Sequence, residues 1–200
     1  MKRDRRHLPR HFIRGGAAIE FMFCLPLLLL LLIPVVDFAR VIQANMIITN
    51  LSREGANLAS RTAMNPQELM DALAATAQPL DMRANGMIHI TRILASRKNG
   101  VSSNAVIGQV RWNGGTHAPS AGAWSCGGAG TYWDAEGNCA GFPPLSGAPE
   151  TDVLSGSLND GDVVYQVEVF YRFPLLFGSL DLGDFRLPAL NPDLYAMTVF

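Results

Sequence analysis

Residues 21–36 form a run of sixteen side chains without a polar group, and counting back to Ala17 extends it to twenty with Glu20 as the one interruption. As a helix, such a segment is about 30 Å long, enough to cross the hydrocarbon core of a bilayer. Beyond the run the pattern changes to a helical stripe. Val41, Ala44, Ile48, Leu51, Gly55 and Leu58 recur at spacings of three and four, with Gln43, Asn50, Glu54, Asn57 and Arg61 largely on the other side. One continuous helix from about Ala17 to Arg61 is expected, membrane-spanning below and amphipathic above, roughly 68 Å long at the usual rise. Pro26 and Pro34 each remove a backbone hydrogen bond within the span and are expected to bend or loosen it.

Residues 62–80 carry a shorter helix. Asn65 precedes Pro66 at the first helical position, Glu68 stands three residues after Asn65 as in a capping box, and Pro79 ends the pattern. Residues 87–94 and 105–112 read as strands. The clearest alternation lies in 162–173: Val163, Tyr165, Val167, Val169, Tyr171 and Phe173 share one face, and Gln166, Glu168 and Arg172 the other, which predicts a half-buried strand. Residues 195–200 form a closing strand. A long helix followed by a small antiparallel sheet gives an α+β class in which the sheet covers the amphipathic part of the helix.

Charge orients the span. Lys2, Arg3, Arg5, Arg6, Arg10 and Arg14 against Asp4 give the first fifteen residues +5, which leaves −6 on residues 16–200 of a chain whose net charge is −1. Basic residues flanking a first span are retained in the cytoplasm, so the C-terminal part is expected outside, periplasmic or extracellular. That part carries no basic patch, which excludes nucleic acid as a partner. Of three cysteines, Cys24 lies in the apolar run, while Cys126 and Cys139 face each other across a Gly-rich loop in the outer part, where oxidation is permitted. They are read as a disulfide staple; as a metal site, two cysteines without a nearby histidine leave a zinc shell incomplete. Secretory cleavage fits poorly, because Pro34, Val35, Val36 and Asp37 supply no small-x-small site, and Phe23 before Cys24 argues against a lipoprotein signal.

Glu20 remains unexplained by a plain anchor, since charge near lipid costs a few kcal/mol. Gly15, then Gly16-Ala17-Ala18-Ile19-Glu20-Phe21, the Leu-rich run, "DFAR" at 37–40 and "TNLSREGANLASR" at 49–61 resemble the N-terminal region of TadE-like proteins, pseudopilins of the tight-adherence (Flp type IV) pilus, and equally their TadF sister group. The resemblance covers residues 14–61. It implies that a prepilin peptidase cuts on the cytoplasmic side after a glycine and that a glutamate is the fifth mature residue. Cleavage of the Gly15–Gly16 bond makes Gly16 the first mature residue, Glu20 the fifth and Phe21 the sixth. Two glycines present an extended, unhindered backbone to a protease. The cut also frees an ammonium at Gly16 that can pair with Glu20 of a neighbouring subunit, which makes both assembly residues. The implied partners are the prepilin peptidase, other Tad pilus subunits with their assembly platform, and the lipid bilayer. The implied shape is pilin-like.

The expected organisation is a basic cytoplasmic leader at 1–15, the transmembrane and amphipathic helix at 16–61, and an exported α+β domain at 62–200 with its disulfide loop. Little enzymatic chemistry is written into it. Asp134, Glu136 and Asn138 are spaced like the start of a calcium loop, but Gly137 is misplaced and no bidentate Glu follows. His89 falls in a strand pattern, a structural more than a catalytic position, and GxSxG, HExxH and phosphate-loop motifs are lacking. No cofactor or metal is expected and the protein is not read as an enzyme. Trp124, Tyr132 and Trp133, within the Gly-, Pro- and Ser-rich stretch 113–161, form either a contact surface or a shield for the disulfide. The preferred reading is a minor pseudopilin in the bacterial cytoplasmic membrane, because more than a hundred residues beyond the helix would crowd a thin filament. The alternatives are an unprocessed single-pass protein with an outer binding domain and an anchored envelope enzyme.

Overall fold

The computed structural model describes residues 16–98, 101–119, 122–128, 130–176, 181–182, 185–186 and 191–200. Among these residues the α-helices are α1 (Gly16–Arg61), α2 (Pro66–Thr76) and the short α3 (Met82–Asn85). The strands among the described residues are β1 (Gly86–Lys98), β2 (Val101–Arg111), β3 (Tyr132–Trp133), β4 (Cys139–Ala140), β5 (Glu150–Thr151), β6 (Val163–Arg172), β7 (Asp181–Leu182), β8 (Phe185–Arg186) and β9 (Asp193–Val199). The principal sheet is wholly antiparallel in the order β5-β2-β1-β6-β9, with two small ribbons, β3-β4 and β7-β8, beside it. A register shift between Arg92 and Ile93 marks a bulge in the β1–β2 pair, a device that bends a long strand and helps the sheet to curl.

The 46 residues of α1 form one helix that passes through both Pro26 and Pro34. Its side chains at 18–36 are exposed, while from Asp37 upward a stripe turns inward: Ala44, Ile48, Leu51, Ser52, Gly55 and Ala56 are buried against β6, β9 and α2. Gln43, Asn50, Glu54 and Arg61 face outward, as the periodicity predicts. Each buried Leu or Ile contributes about 1.5–3 kcal/mol through apolar burial, so packing rather than helix propensity fixes where α1 lies.

Asn65 caps α2, but its side chain accepts from the N–H of Gln67, so the bond goes to the residue before Glu68. Gln67 then clamps α2 to the loop region, donating to the carbonyls of Arg111 and Glu136 and accepting from the N–H of Asn113. α2 ends at Thr76, three residues before Pro79, and α3, capped by Asp81, fills a stretch the hydropathy pattern left unassigned.

The largest departure concerns β6. Val167, Val169 and Tyr171 face α1 as expected, yet Gln166, Glu168 and Phe170 on the other side are also buried, so the strand is covered on both faces. The cover comes from described residues between Trp112 and Phe142: Ala123 over Glu168 of β6, Trp124 and Cys126 over Gln109 of β2, and Trp133 over His89 of β1. Alternation with polar residues therefore marks a second, polar-lined interior rather than solvent.

Candidate processing and assembly site

Gly16 opens α1 and is half-buried; Glu20, one turn up, and Phe21 are exposed, Phe21 to 61%. Residues four apart on a helix share a face, so Glu20 stands directly above the first turn. Among the described residues Glu20 has no hydrogen-bond or ion-pair partner, and a carboxylate in that position is available to a group from another molecule. Gly15, with the rest of residues 1–15, lies outside the described residues. Helical residues 21–36 above Glu20 expose Met22, Phe23, Leu25 and six successive leucines, 27–32, with no cover among the described residues. Such a surface is stable only in a bilayer or against other helices.

The second candidate region is the covered polar layer of the sheet. Cys126 and Cys139 are disulfide-bonded with Cα atoms 5.8 Å apart, thirteen residues apart in sequence. Cys126 and the residues just before it reach down to the sheet through backbone groups. The Gln109 side chain donates to the Trp124 carbonyl at 2.9 Å and to Thr91 Oγ1 at 3.0 Å, and it accepts from the Cys126 N–H at 3.0 Å. Glu168 Oε1 accepts from the Ala123 N–H and from the Tyr195 hydroxyl, both at 2.7 Å. Burial first, then the adjoining Glu168, push the Tyr195 phenol well above its usual pKa, so that it remains a donor.

The aromatic residues divide. Trp133 stacks near His89, centroids 5.6 Å apart, beneath the Arg111 guanidinium, and Trp124 packs on Phe142. Trp133 fastens the loop to the sheet and the Trp124–Phe142 contact ties two stretches of the loop together, whereas Tyr132 is 61% exposed. His89 is buried edge-on against Phe170, and its pKa is lowered to about 4 by burial, reinforced by Arg111. It sits there as a neutral ring. Asp134 accepts from Asn138 through both carboxylate oxygens, closing the turn between β3 and β4. Among the described residues, no three His, Cys, Asp or Glu side chains gather as metal ligands.

Asp37 is the residue that sequence reasoning passed over. Its side chain is 4% exposed, accepts from Arg40 Nη1 at 3.1 Å and from the Leu176 N–H at 3.1 Å, and so fixes the strand-to-strand connection to α1 at the point where the apolar run ends. The available signal was its position: the first acid after sixteen apolar residues, with Arg three places on. No curated protein and no solved structure matches the chain. The family model described as TadE-like protein does match, over residues 15–57, and from the glycine junction through the packed stripe of α1 the chain is similar to that family.

Proposed function

We propose that the chain is a minor pseudopilin of a Tad pilus, inserted once in the cytoplasmic membrane, cut by a prepilin peptidase between Gly15 and Gly16 and held among other Tad subunits through α1. The observation that carries this reading is a coincidence of position. The TadE-like segment begins at residue 15, α1 begins at Gly16, and the one acid in the apolar run is the fifth residue of that helix. Cutting there removes the +5 leader and leaves an ammonium and Glu20 at the same membrane rim, where a pair formed between neighbouring subunits offsets the cost of each charge near lipid. The basic leader supports a cytoplasmic N-terminus, and the Cys126–Cys139 bond supports an oxidising compartment for the sheet. The proposed role is structural: His89 is a buried neutral ring, and Gln109 and Glu168 spend hydrogen bonds on holding the covering loop and Tyr195.

The test is the N-terminal sequence of the mature protein from native membranes. It is expected to begin at Gly16, and Gly15→Ala is expected to slow processing more than Gly16→Ala. A chain that begins at Met1 returns the protein to an unprocessed single-pass anchor; equal processing of the two variants moves the cut.

A further inference from the structure

The α+β unit begins where the span ends, with no spacer between them. Val36 is the last residue of the apolar run, and Asp37 already carries a hydrogen bond from Leu176, 139 residues further along the chain. Because helical side chains tilt toward the helix N-terminus, the Asp37 carboxylate and the Leu176 backbone it holds lie at the level of residue 37 or on its membrane side. With residues 17–36 filling about 30 Å of hydrocarbon, that level is the headgroup layer.

The side chains at this rim suit that layer. Phe38 is 69% and Leu176 57% exposed, next to the Asp37–Leu176 bond at the end of the apolar run. Arg40 places its guanidinium 5.1 Å above the Phe173 ring while its side chain remains 39% exposed, an apolar stem with a cation that can reach lipid phosphate. Leu175 packs into the core and anchors the turn from behind. We propose that residues 173–176 together with Phe38 form a second membrane contact, in which Leu176 and Phe38 enter the interfacial layer of the phospholipid bilayer and Arg40 pairs with its phosphates. The bilayer is the fitting occupant because this surface is continuous with the bare span of α1. The contact rests on residues 17–36 crossing the membrane and is independent of proteolytic processing.

Depth measurement on the full chain tests it. In a Cys24→Ser background, single cysteines at Leu176, Leu30 and Met64 are labelled with an environment-sensitive fluorophore in vesicles of phosphatidylcholine and phosphatidylglycerol. Leu30 reports the span, and Met64, 50% exposed beyond the far end of α1, reports water. The Leu176 label is expected to emit to the blue of the Met64 label, to lose several-fold more fluorescence to nitroxide lipids, and to resist aqueous iodide. A label at Phe38 is expected to behave likewise, which covers a Leu176→Cys chain that fails to fold. Quenching at both rim positions equal to that at Met64 overturns the proposal. Shielding from iodide without nitroxide quenching also overturns it and assigns the rim to a second copy of the chain. An unquenched Leu30 label removes the span and this contact together, whereas a Met1 N-terminus with quenched rim labels removes only the processing.

Discussion

Gly55 is a position at which three elements, α1, α2 and β6, meet closely. A Cβ there would stand 2.9 Å from Leu73 Cδ1 on α2 and 3.1 Å from Val167 Cγ1 on β6. Glycine costs about 1 kcal/mol in a helix interior relative to alanine, and the close approach is what that cost secures. Gly55→Val is therefore expected to lower stability by about 1–3 kcal/mol through overpacking, read from denaturant unfolding of the detergent-solubilised protein, with membrane insertion unchanged. His89 sets a pH dependence. Its folded pKa near 4 lies below the unfolded value of 6.5, so the unfolded chain binds the proton first; stability is full above about pH 6.5 and falls as pH drops toward 4. The loss is on the order of 3 kcal/mol, and His89→Phe is expected to abolish that part of the pH slope in unfolding curves at about pH 7.5 and 4.5. Gly55 was legible from the three-and-four spacing. The burial of Glu168 was not, because its partners, the Ala123 N–H and the Tyr195 hydroxyl, lie 45 and 27 residues away and leave no local trace.

At the scale of elements, α1 was readable almost to the residue, since hydropathy and a 3.6-residue period are local properties that tertiary packing only reinforced. β6 was readable as a strand and misread in its surroundings: alternation reports which side chains differ, and a stapled loop can bury the polar side as well. The glycine-rich stretch 113–142 carried no periodicity, so its return over the sheet was invisible beforehand. For α1 the exposed Glu20 gives a direct expectation. Glu20→Gln keeps size and hydrogen bonding while removing charge, so insertion should be unaffected and co-purification with Tad pilus components weakened; unchanged recovery of those components speaks against the proposed interhelical charge pair.

The whole molecule is a sheet with unlike covers, helices on one face and a cross-linked loop on the other. The disulfide closes a short loop, worth about 3 kcal/mol by restricting the unfolded chain. Cys126→Ser with Cys139→Ser is expected to destabilise the protein by about that amount and to open the polar layer. Faster hydrogen exchange at the Ala123 and Cys126 amides, with the α1–β9 side still protected, is the measurement that shows it. The packing of α1 on β9 has a separate consequence for biogenesis. Ser52 on the helix and Thr198 on β9 meet at 2.9 Å across 146 residues of sequence. A nascent polypeptide moored by α1 thus keeps part of a greasy stripe wet until β9 emerges, a delay during which quality-control proteases and holding chaperones compete for it.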